Sequence, residues 1–483
     1  MTALLQRYNL ITAVACGLFF LFGITAVIQQ EAAWLIIPFI FIVLKPISHF
    51  LITQTESLFW LLLILLPLST ELNITPSLGI DFPDEIFLLL LTAIGIAKIM
   101  HQPFIFFPLF RSPAMLLIAL HLVWILATCF FSTEPLLSVK FFLAKCWYII
   151  PLVLITPLVT RNSNDFAKMA CCLTIPMALV IIQTLVRHGL YGFEFEAIKK
   201  TFFPFFRNHV NYSSMLVCLL PAGWALWKLT PAQTTRRKII VALLVISAIG
   251  LILSYSRGAW LALLAGLITV AVLQKKWMVK TIGAALVSAT LLFILLISNN
   301  NYLRFAPDHD RTVFHSNFSE HLSATITLKD ISNAERFHRW VAGIRMIAEK
   351  PVTGFGPNSF YAQYPSFTVA SFKTWVSDNP EHSTVHNYFL LTAIEQGIPG
   401  LLLLLALWIY LMVATQQLYH AFQSEFYRTV SLVTGVMLSM ITLINLTSDM
   451  IETDKIGSLF WLCAGVIITL QIKLREERSA IAG

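Results

Sequence analysis

Apolar segments of about 20 residues follow one another along almost the whole chain, and no other feature limits its folding so strongly. A bilayer core about 30 Å thick is crossed by roughly 20 apolar residues at about 1.5 Å rise each. A backbone surrounded by lipid must satisfy its own hydrogen bonds, which makes the helix the spanning form for segments of this length. The segments lie near 10–28, 33–51, 57–70, 85–100, 113–131, 141–160, 167–187, 211–229, 238–255, 257–273, 279–297, 386–413, 429–447 and 456–472. Hydrophobic residues make up 57% of the chain and charged residues 12%, against about 45–50% and about 25% in soluble domains. The sequence therefore reads as an all-α polytopic membrane protein of about 12–14 transmembrane helices. Every cysteine falls inside an expected span, as a small buried hydrophobe and not as a partner in a disulfide or thiolate metal site.

Lysine and arginine orient the stack, because they are retained on the cytoplasmic side of short connections. The connections "KLTPAQTTRRK" and "QKKWMVK", the turns holding Lys98, Arg111, Arg161 and Lys168, and the tail "KLREERS" all fall on one side. The opposite side holds "ELNITPSLGIDFPDE" and "TSDMIETDK". This alternation predicts cytoplasmic termini and three regions: a transmembrane bundle over 1–297, a large outer loop with short helices over 298–385, and C-terminal transmembrane helices over 386–483. Cations also appear on the outer side, where the rule would not put them: Lys199, Lys200 and Arg207 among aromatics in 188–210, and Arg257 in "SYSRGAW". A basic outer face points to an anionic ligand.

Within the loop, "SNAERFHRWVAGIRMIAEKP" reads as a helix with a Ser332–Glu335 capping box and a stop at Pro351. Its periodicity predicts an apolar stripe of Phe337, Trp340, Val341, Ile344 and Ile347, with His338 and Arg345 opposite and Arg336 on the rim. "GFGPNSF" at 354–360 is a tight turn without the lysine of a phosphate-binding loop. His386 and Asn387 then stand at the mouth of the next span. His382 and His386 have the spacing of a helical metal pair, but no glutamate stands between them, so no metal is assigned. No cofactor motif is present, and nothing indicates a nucleic-acid partner.

The ordered motifs "SYSRGAWLALLAG", "AERFHRWVAGIRMIAEKPVTGFGPNSF" and "HSTVHNYFLLTAIEQGIPGLLLLL" resemble the bacterial O-antigen ligase and polymerase superfamily over about residues 250–400. The resemblance implies a glycosyltransferase C-like fold in the bacterial inner membrane, with the large loop and the active face periplasmic. It implies transfer of a glycan from a polyprenyl diphosphate carrier to a hydroxyl acceptor, the lipid A core or a growing glycan, amid membrane lipids. Residue by residue, it makes Arg257 and Arg336 the arginines associated with the donor diphosphate and His386 the histidine associated with the acceptor hydroxyl.

Elementary chemistry supports that division. A diphosphate leaves with negative charge growing on its oxygens, which arginine forks stabilise while staying protonated. The attacking hydroxyl must lose a proton, which an imidazole can take. Displacement from the opposite face inverts the anomeric centre, giving a metal-independent inverting glycosyltransferase. Asn387 is expected to orient the imidazole or cap its helix, Glu395 to pair with a cation or polar backbone, and Arg207 to contact donor phosphate or lipid. Ligation of O-antigen is preferred. The alternatives are an O-antigen or exopolysaccharide polymerase and, more remotely, a transporter or lipid flippase, which would place its charges within the spans.

Overall fold

The computed structural model describes residues 53–75, 78–298, 301, 331–368 and 384–482. The expected spans at 10–28 and 33–51, and His382, lie outside the described residues. From 57–70 onward every expected span coincides with a helix. These begin with α1 (Thr55–Leu65), a hairpin of β1 (Thr70–Thr75) and β2 (Leu78–Phe82), and α2 (Asp84–His101). Beyond α2 the chain turns by 108° into Pro103–Phe110, which ends in α3 (Phe107–Phe110). Pro103 and Pro108 lack the amide hydrogens that would continue α2 straight.

Next come α4 (Pro113–Cys129), α5 (Pro135–Ile149), a π stretch Ile150–Ile155, α6 (Thr156–Val159) and α7 (Ser163–Leu190). They are followed by α8 (His209–Leu229), α9 (Thr235–Ile252), α10 (Arg257–Gln274), α11 (Met278–Ile297) and the loop helix α12 (Ile331–Glu349). The short α13 (Phe360–Gln363) and the long α14 (Tyr388–Ala421), α15 (Glu425–Leu446) and α16 (Asp454–Ala482) complete the order. Among the described residues, seven helices are long and apolar enough to cross a membrane, and the bent α2 pair makes an eighth. The chain is a multi-pass membrane protein.

Two of the expected boundaries have visible caps. Asn162 and Asp165 form a reciprocal capping box on α7, and Asn387 caps α14 by accepting the Leu390 N–H at 2.9 Å. The main core runs between α14, α15 and α16, where Trp408 stacks on Phe460 with ring centroids 4.5 Å apart. A second, smaller core of Ala342, Met346, Phe355, Phe360, Val385 and Ile394 joins α12 and the following turn to the first turns of α14. Helix α12 and the turn that follows it are thereby seated on the mouth of α14.

The face of α12 that packs inward differs from the expected stripe. His338, Arg339, Ala342 and Met346 are buried, whereas Trp340 and Ile344 are 38% and 37% exposed. Helix α12 approaches α14 closely at Gly343, where a Cβ would lie 2.7 Å from Ile394 Cδ1, with Ala342 and Met346 buried on either side. Helix α12 begins at Ile331, and the Ser332 and Glu335 side chains lie outside those described.

Candidate functional site

At the mouth of α14, His386 adopts φ +53°, a left-handed conformation uncommon for a residue with a Cβ. Such strain persists only where surrounding contacts fix it, and here several do. The His386 N–H donates to Thr384 Oγ1 at 3.3 Å. Arg339 Nη1 donates to the Thr384 carbonyl at 3.4 Å, and Trp340 Nε1 to the Val385 carbonyl at 2.9 Å. From the other side, Tyr388 N–H donates to the Ser448 carbonyl at 3.1 Å and Asn387 Nδ2 to the Leu446 carbonyl at 3.1 Å. Helix α12 and the end of α15 thus hold the histidine between them.

The electrostatics around His386 are set by burial and cations. Burial, then Arg339, then Arg336 lower its pKa from 6.5 to about 3, so the ring is neutral at physiological pH. Asp449 lies behind it. Burial pushes that carboxyl above its usual range, against the pull of a hydrogen bond from Thr384 and the charge of Arg339. Beyond Asp449 stands Glu452, whose carboxylate accepts two bonds from Lys145 Nζ at 2.8 and 2.9 Å. The Lys145 ammonium also lies 5.6 Å from the ring centre of Tyr388, the first residue of α14.

Below the mouth, α14 breaks at Gly397, whose φ is +71°, and Pro399 follows. The break strips helix carbonyls of their usual donors, and "GFGPNSF" supplies replacements. Phe355 N–H reaches the Ile394 carbonyl at 3.1 Å and Gly356 N–H the Glu395 carbonyl at 2.9 Å, while Ile398 N–H donates to the Pro351 carbonyl at 2.8 Å. The buried Glu395 carboxylate accepts the Phe360 N–H at 3.1 Å, with Asn358 and Ser359 N–H beside it. Only glycine fits several of these positions: a Cβ on Gly397 would lie 2.0 Å from the Val352 carbonyl oxygen, and one on Gly356 2.1 Å from Ser132 Oγ. Glu395, Gly397 and the turn are one interlocked unit.

Arg257 heads α10, which runs antiparallel to α15. Thr269 Oγ1 donates to Ser439 Oγ at 2.8 Å, Gly266 packs on Met440 and Gly435 on Leu273. This register carries Arg257 toward the Leu446 end of α15, the end that holds Asn387. Arg207 is elsewhere on that face, ion-paired with Glu71 at 2.6 Å. It lines a cavity of about 650 Å³ that also includes Lys145 and Glu452.

The expected residues therefore sort into three places. Arg336 and His386 meet in one cluster. Asn387 serves as helix cap, one of its two expected roles, and Glu395 as the clamp on a polar backbone turn. Arg207 belongs to the adjoining cavity. Sequence reasoning missed Arg339, Asp449, Glu452 and Lys145. Of these, Lys145 had a signal, as a lone lysine within the expected 141–160 span.

Comparison with known proteins bears on the same region. Residues 242–405 match a family model described as O-antigen ligase, a stretch that starts before Arg257 and ends after the α14 break. The O-antigen ligase of Salmonella typhimurium strain LT2 is 28% identical over 211 residues, covering 43% of this chain and 47% of that protein. The chain thus spans about half the length of the curated relative it matches. Residues 242–405, which include Arg257, Arg336, Arg339 and His386, are thus similar to the O-antigen ligase family.

Proposed function

We propose that the protein ligates O-antigen to the lipid A core, taking the glycan from a polyprenyl diphosphate carrier at the periplasmic face of the inner membrane. The observation that carries this reading is the convergence of Arg336 and Arg339 on a strained, neutral His386 inside the region similar to the O-antigen ligase family. Two guanidinium groups offer forks for phosphate oxygens, and a neutral imidazole offers a lone pair for a hydroxyl proton. Arg257, on the same end of the bundle, extends the anion-binding face.

In the reaction, the acceptor oxygen forms a bond to the anomeric carbon as the bond from that carbon to the diphosphate oxygen breaks. The hydroxyl proton passes to His386, and the growing charge on the leaving diphosphate is met by Arg336, Arg339 and Arg257. Attack opposite the leaving group inverts the anomeric centre. No proton need be given to the diphosphate, so no acid partner for His386 is required.

The arginines also tune the base. With the diphosphate absent they help hold His386 near pKa 3, too low to draw a proton from a hydroxyl effectively. With their charges answered by phosphate, the repulsion on an imidazolium falls and the pKa rises, while burial, the larger cause, still holds it below the ordinary 6.5. The base becomes competent when the donor is seated, which protects the site from activity on the acceptor alone.

Ligation is preferred to polymerisation because both the family model and the Salmonella relative are described as O-antigen ligase. The test is a gel of cell-surface glycolipids with an analysis of polyprenyl-linked glycans from a strain lacking the protein. Long chains stranded on the carrier with bare core support ligation. Core bearing a single repeat assigns the protein to polymerisation, and unchanged glycolipids overturn both.

A further inference from the structure

At the end of the bundle opposite His386, two apolar cavities meet at one cation. The first, about 820 Å³, lies between α7, α8, α15 and α16, with Phe166, Leu173, Met437, Cys463 and Val466 along its wall. The second, about 460 Å³, lies between α7, α8 and α9 and is walled by Met177, Ile181, Leu219, Ile240 and Leu244. Leu226 and Arg236 line both, and both volumes fall within the range of about 300–1,000 Å³ usual for ligand pockets. Helix α15 separates this place from the mouth of α14. Glu425, its first residue, lines the first cavity, whereas Leu446, its last, accepts from Asn387, about 30 Å away at about 1.5 Å per residue.

The cations at this rim are not equally engaged. Lys228 binds Glu425, the one carboxylate among the described residues lining the two cavities, at 3.3 Å. Arg237 lies 4.8 Å from the ring centre of Trp227 and donates to the Thr230 carbonyl at 3.3 Å. Arg236 is exposed, and its guanidinium reaches from α9 across to Cys171 Sγ on α7 at 3.9 Å. Sulfur is a weak acceptor for a group with several N–H donors, so this fork keeps capacity for a phosphate, which it can bind with two bonds at once. The apolar walls give water too few partners and suit hydrocarbon. Their depth is that of one leaflet: from Ser163 to Leu173 on α7 the first cavity runs about 15 Å, and from Thr235 to Ser247 on α9 the second runs about 18 Å, against about 15 Å for half of a hydrocarbon core.

We propose that the two cavities and Arg236 form a site for an anionic, two-chain glycerophospholipid of the cytoplasmic leaflet, with its phosphate on Arg236 and one acyl chain in each cavity. A cation shared by two apolar cavities matches a headgroup that carries two chains; a one-chain lipid would use only one of them. The same end of the bundle carries the basic connection "KLTPAQTTRRK", lysine and arginine collect on the inner side of a membrane, and anionic lipids of that leaflet attract them. The site stands apart from His386 and does not rest on the glycan-transfer reading.

The test is native mass spectrometry of the purified full-length protein in detergent. It is titrated with phosphatidylglycerol, phosphatidylcholine of the same chains, one-chain lysophosphatidylglycerol and a polyprenyl monophosphate. Phosphatidylglycerol is expected to bind at least about fivefold more tightly than phosphatidylcholine, the scale of one basic residue at an anionic surface, and more tightly than its one-chain form. Arg236→Gln is expected to abolish the preference for phosphatidylglycerol and Arg236→Lys to keep most of it; the side chain is exposed, so both variants are expected to fold. Thr174→Phe, which narrows the second cavity, should bring phosphatidylglycerol down to the level of its one-chain form, and the Arg236 variants decide the matter if that protein does not fold. Equal binding of phosphatidylglycerol and phosphatidylcholine, or a preference unmoved by Arg236→Gln, overturns the proposal and leaves the cavities as ordinary lipid-facing grooves. It is also overturned if the one-chain form binds as tightly as the two-chain lipid, or if the polyprenyl monophosphate binds more tightly than phosphatidylglycerol. None of these outcomes involves transfer, so the ligase reading is tested separately.

Discussion

The donor-dependent basicity of His386 gives a sharp kinetic signature. In the substrate-free protein its pKa is lowered from 6.5 to about 3, by burial first, then Arg339 and Arg336. That depression corresponds to no more than about 5 kcal/mol favouring the neutral ring. Because the folded pKa is depressed, the inactive imidazolium is populated in the free protein only as pH falls toward 3. The acid limb of kcat/KM for donor, which reports the free protein, is therefore expected below about pH 4, with a flat profile from about pH 5 to 8. In the donor complex the phosphate answers the arginine charges while burial remains, and the acid limb of kcat is expected at higher pH than that of kcat/KM but below 6.5. The two profiles are measured by steady-state transfer in proteoliposomes with purified donor and rough-core acceptor. Arg339→Gln removes the cation with the larger influence on His386 and should move the kcat/KM limb upward. A kcat/KM limb near pH 6.5 in the unaltered protein, unmoved by Arg339→Gln, would refute the coupling between arginines and base.

Three further outcomes follow from the packing. Gly397→Ala must place a side chain at φ +71° and against the Val352 carbonyl, at about 1–2 kcal/mol for the backbone and about 1–3 kcal/mol for the overlap; thermal unfolding in detergent should show a clear loss of stability. Glu395→Ala leaves the buried N–H of Phe360 without its acceptor, about 1–3 kcal/mol, and should lower the protein's level in membranes, with Glu395→Gln recovering most of it. A substrate-binding Glu395 would instead give normal membrane levels with raised KM. Lys145→Met isolates the part-exposed Glu452 carboxylate and should destabilise by about 1–3 kcal/mol, while Lys145→Met combined with Glu452→Leu should unfold nearer the unaltered protein.

The span positions were legible because hydrophobicity in lipid is a one-dimensional signal, and each segment from 57–70 onward became a helix within a few residues. The family motifs marked His386, Arg336 and the glycine turn. What they could not convey was why the glutamate and glycine after His386 matter. Glu395 and Gly397 join two segments about 40 residues apart in sequence, and only three-dimensional placement reveals the backbone they satisfy. The buried face of α12 was misread for a related reason. Hydropathy ranks Trp340 and Ile344 as core, whereas His338 and Arg339 are buried instead, because a site built from polar groups breaks the local pattern. Asp449 and Glu452 looked like an ordinary acidic turn, and nothing in their spacing tied them to Lys145 or Thr384. Arg207 stood out as an outer cation, but its pairing with Glu71 depends on the hairpin folding back over the cavity.

The central claim is that His386 removes the acceptor proton while arginines hold the donor diphosphate. It is tested most directly by transfer assays on His386→Ala and Arg336→Ala proteins that reach normal levels in membranes. The account predicts a loss of at least about 100-fold for His386→Ala, with donor binding retained, and weakened donor binding for Arg336→Ala. Full transfer by His386→Ala at normal membrane levels would contradict it.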